Sequence, residues 1–410
     1  MRARSPWNAA HASPCGGDAV EAAPGAQLGT GCWTTTVPVV LHAVSASENE
    51  RGNEANRLVS ERMKLSLSQD SAVVALAVVT CDPAVPFSGK ARARLAEPCA
   101  VSDHLPVTLH VFDRLIARCA DLPPAPFAVV APTTEVALSG ALEAARARLI
   151  EPILVGEEHA IVTLGAKLGA DLSKMRIVGA RDDADAARKA VALCRSGEAL
   201  GLMKGSLHTD VLMHAVLDTQ IGLRTARRVS HVFVIDAPAY PRPLLVTDAA
   251  INIYPTLDDK VDIVKNAIEL AHALGIPSPN VAILSAVETV SPKITSTLDA
   301  AALCKMADRK QITGAVLDGP LAFDTAVSAE AAAIKKLISP VAGVADVLIV
   351  PDLESGNMLA KQLEYLGGAE LAGVVLGARV PIVLTSRSDS ARARLASCAV
   401  AVLRGAADRA

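Results

Sequence analysis

Ser386 and Arg387 stand in a short polar turn, residues 385–390, between a buried-strand pattern (382–384) and a helix expected to begin near Ala391. A strand that empties into a helix N-terminus presents unpaired N–H groups and the positive end of the macrodipole, which favours an anion. A hydroxyl and a fixed cation in such a turn can meet a phosphate or a developing oxyanion. The turn also has a plainer explanation, with Ser388 or Asp389 capping the helix and Arg387 solvated. A second group, Lys204, Gly205 and His208, follows a strand-like run at 199–203. A lysine and an imidazole beside a glycine could bind phosphate there, and a lysine at a strand end can equally be solvated. Asp318 and Asp324 flank a Gly-Pro pair, where Asp often satisfies local backbone N–H groups. Glu354, Ser355 and Asn357 line an expected helix entry, and capping alone would account for them.

These groups need a scaffold, and the chain's periodicity supplies one. From about His110 onward, Val/Ile-rich runs of strand length alternate with Ala/Leu-rich amphipathic stretches. Repeated strand–helix–strand units predict an α/β fold built on a parallel sheet covered on both faces. The exception is 229–246, where two strands separated by a Pro-rich connector at 238–243 predict a hairpin. Ligands bind such sheets at the carboxyl ends of the strands. The stretches 203–209, 318–324, 351–357 and 385–390 are therefore expected to be the loops that carry the site.

Composition narrows the chemistry. Hydrophobic residues make up 51% of the 410 but aromatics only 2%, so the core must be aliphatic. A net charge of −3 and so few aromatics leave little for nucleic-acid binding. The eight cysteines are scattered, without a Cys-x-x-Cys pair or a Cys/His cluster. No metal site is expected, and reduced thiols fit a cytoplasmic protein. No apolar run reaches the roughly 18 residues of a membrane span, and the N-terminus lacks the apolar centre of a signal peptide. Residues 1–108 show no α/β rhythm, only short strand-like pieces at 37–41 and 72–79, and read as a low-complexity or marginally structured segment.

Several long motifs in order then resemble one family. They are Leu245-Val-Thr-Asp-Ala-Ala-Ile-Asn-Ile253, Lys260-Val-Asp-Ile-Val-Lys-Asn-Ala267, Leu317-Asp-Gly-Pro-Leu-Ala-Phe-Asp324, Ser339-Pro-Val-Ala-Gly343, Val350-Pro-Asp-Leu-Glu-Ser-Gly-Asn357 and Leu384-Thr-Ser-Arg387. Together they resemble the phosphate acetyl/butyryltransferase family from about His110 to the C-terminus. The Thr-Ser-Arg-x-Asp-Ser ending and Met203-Lys-Gly205 are more like the butyryl branch, and like the acyltransferase half of fused enoyl-CoA hydratase/phosphate acetyltransferases. No hydratase module is recognisable in 1–108.

The resemblance implies two α/β domains with an interdomain cleft, similar to the isocitrate/isopropylmalate dehydrogenase architecture. The first would be 109–228 completed by 377–410, and the second 229–376. It implies the reversible reaction acyl-CoA + phosphate = acyl phosphate + CoA, with coenzyme A as substrate, no bound cofactor, no metal and a homodimeric assembly. Ser386 and Arg387 match the family's serine–arginine pair. Two positions depart from the pattern. The carboxylate that acetyl-branch members place seven residues after the serine, as base for the CoA thiol, is Ala393 here. An arginine of many members aligns with His214, which would replace a fixed cation by a titratable one. Asp389, one helical turn before Ala393, is the alternative base. Asp236 stands where several relatives carry a cysteine, so no catalytic thiol is implied.

Two other readings stay open at this point. One is a catalytically weakened CoA- or acyl-phosphate-binding protein, given Ala393 and His214. The other is a dehydrogenase of the related two-domain fold, against which stand the lack of a Gly-x-Gly-x-x-Gly fingerprint and of an acidic metal cluster.

Overall fold

The computed structural model describes residues 110–385 and 389–409. The expectations for 1–108 fall outside these residues, as do Ser386, Arg387 and Ser388. The rest is a mixed α/β fold around one large sheet.

Among the described residues, eleven strands and eleven helices follow in chain order. The first stretch runs α1 (Val111–Arg118), β1 (Ala125–Val130), α2 (Glu135–Arg146), β2 (Ile150–Gly156), α3 (Glu158–Lys167), β3 (Arg176–Gly179), α4 (Asp183–Ser196), β4 (Gly201–Lys204) and α5 (Thr209–Val216). The middle runs β5 (Ser230–Asp236), β6 (Leu244–Thr247), α6 (Leu257–Ala273), β7 (Asn280–Leu284), α7 (Thr295–Asp308), β8 (Val316–Leu321), α8 (Phe323–Val327) and α9 (Ala329–Ile334). The last runs β9 (Val347–Ile349), α10 (Leu353–Tyr365), β10 (Glu370–Leu376), β11 (Ile382–Val383) and α11 (Ala391–Ala407).

Helix starts are set by side chains that satisfy orphan amides. Thr134 accepts from Ala137 N, Asp182 from Asp185 N and Ser390 from Ala393 N. Thr256 with Asp259, and Asp352 with Ser355, form reciprocal capping boxes at α6 and α10. Gly197 ends α4 in the left-handed region at φ 81°, where a Cβ would be strained.

The strand order is β3-β2-β1-β4-β11-β10-β5-β6-β9-β7-β8. β1, β2, β3, β4 and β11 are mutually parallel. β10 is antiparallel to both neighbours, and β5–β6 is the expected antiparallel hairpin. β6, β9, β7 and β8 are parallel among themselves. The four parallel strands that end the sheet therefore run opposite to the five that begin it. This corrects the expectation of a parallel sheet with all four polar loops at one edge: the carboxyl ends of β8 and β9 open opposite to those of β4 and β11. Two of those stretches are also not loops. Residues 318–321 belong to β8, and 353–357 open α10.

The core is aliphatic, with Phe112 and Phe127 the only aromatic rings among the largest fully buried side chains of the described residues. On one face of the sheet a single cluster runs from Val111 and Leu138 to Leu303 and Val400, under α1, α2, α6, α7 and α11. On the other face the packing divides. One cluster lies under α4 and α5, around Ala187, Leu202 and Leu212. The other lies under α8, α9 and α10, around Leu244, Leu348 and Ala360. The site sits where these two part.

Candidate active site

The close of β4 and the entry to α11 are neighbours because β4 and β11 pair in parallel, Leu202 beside Ile382 and Met203 beside Val383. Lys204 and residues 384–385 therefore leave the sheet side by side. Two cavities open there, one toward each face, and Lys204 and Thr385 line both.

The first, of ≈ 420 Å³, lies at the divide between the two clusters. Leu207 and Leu384 on one side and Phe233 and Leu371 on the other form its apolar walls. Its polar lining is Lys204, His208, Thr209, His231, Asn357, Lys361, Glu364, Thr385 and Asp389. Asn357, Lys361 and Glu364 follow at helical spacing along α10 and so share one face of it. Lys361 pairs with Glu364 at 2.7 Å. Asn357 Nδ2 donates to Ala249 O at 3.1 Å, fixing the loop whose Ala250 also lines the cavity. That loop is folded around Asp248, whose carboxylate accepts from Ala250 N, Ile251 N, Asn252 N and Asn252 Nδ2 at 2.6–3.2 Å. Burial raises the Asp248 carboxyl above its ordinary value despite these donors.

The second cavity, of ≈ 440 Å³, lies between the first turns of α2 and α11. Thr134, Val136, Ala137, Met203, Gly205, Ser206 and Arg394 complete its lining. Its floor is tied together by Ser206. Ser206 N donates to Ala131 O at 2.9 Å and Ser206 Oγ to Ala131 O at 2.5 Å, and Gly205 N donates to Val130 O at 2.9 Å. A Cβ on Gly205 would run into the carbonyl oxygens of Val130 and Ala131, so the close approach requires glycine.

Of the expected site residues, the fold gathers Lys204, Gly205, His208, Asn357 and Asp389 at these two cavities. Thr385 and Asp389, which bracket Ser386 and Arg387 in the chain, both line the first. Asp389 is not the helix cap; Ser390 takes that role. The others lie elsewhere. His214 is exposed on α5 and faces a separate cavity with Arg188, Asp210 and Asp218. Asp318 accepts from its neighbour Gly319 N on β8, at the far edge of the sheet. Asp324 pairs with Lys335 at 3.0 Å, which holds its carboxyl below the usual range. Ser355 belongs to the capping box of α10, and Glu354 is exposed in that first turn.

Two side chains at the cavities escaped the sequence reading. His231, on β5, is buried and packs edge-on against Phe233 with ring centroids 4.4 Å apart. Its Nδ1 has no hydrogen-bond partner among the described residues, and burial pushes the imidazole down to about 3, leaving it neutral. Arg394, on α11, is 9% exposed. The legible sign for Arg394 was a second cation in the first turn of a helix, with no acidic residue three or four positions away. A polar residue within the strand pattern 229–235 was the sign for His231.

No thiol is poised for nucleophilic work among the described residues. Cys119, Cys194, Cys304 and Cys398 are all free, and burial raises their thiols to about 11, 12, 12 and 12. Among the described residues no group of three or more His, Cys, Asp or Glu could hold a metal ion. No described helix is long and apolar enough to cross a membrane.

The fold and the paired strand ends define an α/β protein with a polar cleft suited to an anionic substrate, and comparison with known proteins gives the family. The model described as Phosphate acetyl/butaryl transferase matches residues 181–402. A phosphate acetyltransferase of Rhizobium meliloti is 59% identical over 299 residues, covering 73% of this chain and 95% of the relative. A phosphate butyryltransferase of Clostridium acetobutylicum is 41% identical over 292 residues, covering 71% and 97%. Among solved structures, a branched-chain phosphotransacylase from Enterococcus faecalis V583 superposes with a TM-score of 0.61 at 31% identity, covering 68% of this chain and 99% of that one. The chain belongs to the phosphate acetyl/butyryltransferase family. Its motifs lean toward the butyryl branch while a relative named for acetyl transfer shares more identity, so branch likeness does not fix the acyl group.

Proposed function

We propose that this protein is a phosphate acyltransferase that moves a short-chain acyl group reversibly between coenzyme A and inorganic phosphate. The observation that carries the reading is the convergence of Lys204, Thr385 and Asp389 on one cavity at the carboxyl ends of two adjacent parallel strands. In the forward direction a phosphate oxygen attacks the thioester carbonyl carbon, the C–S bond breaks, and CoA leaves as a thiolate that takes up a proton. Arg387 neutralises the phosphate, and the Ser386 hydroxyl donates to the oxyanion of the tetrahedral intermediate. Asp389 exchanges the thiol proton in place of the carboxylate absent at Ala393. Lys204 and His208 add positive charge and a hydrogen-bond donor, while Gly205 and Asn357 shape the walls. His214, Asp318, Asp324, Glu354 and Ser355 have no part in this scheme, because each is engaged or placed away from the two cavities.

The architecture we favour is two α/β domains, 109–228 with 377–410 and 229–376, carried on the shared sheet, with the first cavity as the cleft between them. The likeness to the isocitrate/isopropylmalate dehydrogenase architecture belongs to the same proposal. We further place the protein in the cytoplasm as a homodimer, in keeping with its scattered cysteines and its family.

The deciding experiment supplies acetyl-, propionyl- and butyryl-CoA with phosphate and follows free thiol. Phosphate-dependent thiol release supports the transferase and ranks chain length. Binding of CoA without turnover would replace it with the binding protein, and NAD reduction with a hydroxy acid would replace it with a dehydrogenase.

A further inference from the structure

Arg394 is not used by the scheme above, and packing does not account for it. It is the fourth residue of α11, where a cation opposes the helix dipole. Its neighbour Arg392 meets Asp113 and Glu370, both at 3.1 Å. Arg394, at 9% exposure, makes no ion pair or side-chain hydrogen bond with any described residue. Its stem is enclosed, while no guanidinium nitrogen of Arg394 is sealed from the cavity, so the charge is left facing that space with its donors open. The fold makes room for it: Gly140 on α2 leaves space for the arginine stem, and a Cβ there would lie 3.1 Å from Arg394 Cδ. The guanidinium lines the second cavity together with Lys204, the hydroxyl-bearing Thr134 and Ser206, and the first turn of the 12-residue helix α2. No carboxylate is among the lining residues.

We propose that this second cavity is a phosphoryl-binding subsite in which Arg394 and Lys204 hold the oxyanions of a substrate phosphate. The proposal rests on the acyltransferase reading and adds a residue to it. The cavity meets the first one at Lys204 and Thr385, so a phosphate held here stands beside Thr385, which precedes Ser386 and Arg387 in the chain. The phosphate could be the inorganic substrate (or the phosphoryl end of acyl phosphate), or a phosphate of coenzyme A. The chemistry of recognition is the same, and kinetics separate the two sources.

The test compares the full-length wild type with Arg394→Met and Arg394→Lys, by calorimetric titration with inorganic phosphate and by KM for phosphate and for acetyl-CoA. Loss of a charge-assisted contact predicts a roughly 10- to 100-fold weakening in Arg394→Met, partly restored in Arg394→Lys. A rise confined to the phosphate constants assigns the site to inorganic phosphate. A rise confined to acetyl-CoA assigns it to a coenzyme A phosphate. Either result supports the subsite. If Arg394→Met melts with the wild type and moves neither KM nor the phosphate titration beyond about twofold, the proposal is wrong. Should Arg394→Met not fold, Arg394→Lys, which keeps the charge without the fork of donors, must raise the same constant above that of the wild type. No change there overturns it equally. A wild type that turns nothing over would remove the acyltransferase reading, while the phosphate titration would still decide the subsite.

Discussion

Thr133 Oγ1 and Ser206 Oγ lie 2.7 Å apart, joining the loop after β1 to the loop after β4. Because the Ser206 hydroxyl already donates to Ala131 O, Thr133 is the donor in this pair. The bond fixes the mouth of the second cavity at the level of Lys204. Ser206→Ala removes both of these links and a longer one from Thr133 N at 3.4 Å, and should cost about 0.5–1.5 kcal/mol for each net hydrogen bond lost, read as a lower urea midpoint. A double-mutant cycle with Thr133→Ala should give a coupling of the same order, and strict additivity would mean the two hydroxyls do not interact.

Asp389 and Ser390 are adjacent but do different work. Ser390 caps α11 at 3.0 Å from Ala393 N, so Ser390→Ala should lower stability by about 0.5–2 kcal/mol. Its kcat should change little. Asp389→Asn should act on the rate instead, reducing kcat by roughly 10²–10⁴-fold if this carboxylate moves the thiol proton. Unchanged kcat in Asp389→Asn would exclude it as the base.

Removing the proposed oxyanion donor should be expensive in rate but not in fold. Ser386→Ala is expected to lower kcat by about 10²–10³-fold with little change in KM for either substrate. Arg387→Ala should abolish phosphate-dependent thiol release. Arg387→Lys should not restore it fully, because an ammonium cannot reproduce the bidentate grip of a guanidinium on phosphate. Full activity in Arg387→Lys would argue for a simple charge.

His231 gives a pH signature. Its folded-state value, pushed down to about 3 by burial, lies below the roughly 6.5 of an exposed histidine. Between these values the unfolded chain holds the extra proton, so stability falls as pH drops from about 6.5 toward 3, and is fully present above 6.5. The slope from this one group is at most about 1.4 kcal/mol per pH unit. In His231→Gln that part of the acid sensitivity should vanish from urea titrations run at successive pH values. An unchanged slope would show that the imidazole can charge inside the fold.

Gly205 tests the close contact beneath the cavities. Gly205→Ala forces a methyl group onto two backbone carbonyls and should destabilise by about 1–3 kcal/mol or more, with loss of phosphate affinity as the floor shifts. Wild-type stability in this variant would contradict the packing of β4 against β1.

Local sequence determined the elements and their caps. Alternating aliphatic runs placed β1, β2 and β7, and the polar stretch at 385–390 announced the start of α11. These are short-range properties, fixed by hydrophobic period and by which side chains can satisfy orphan amides. Only the tertiary structure decided which strand ends meet. The reversal of direction across β10, β5 and β6 sent Asp318 and Asp324 away from Lys204. Strand polarity is set by pairing between distant segments, and no local pattern records it. The same holds for Arg394 and His231. Each reads locally as an ordinary polar residue, and becomes a buried group at a cavity only when α11 packs on α2, and when β5 lies next to β10 within reach of Leu384.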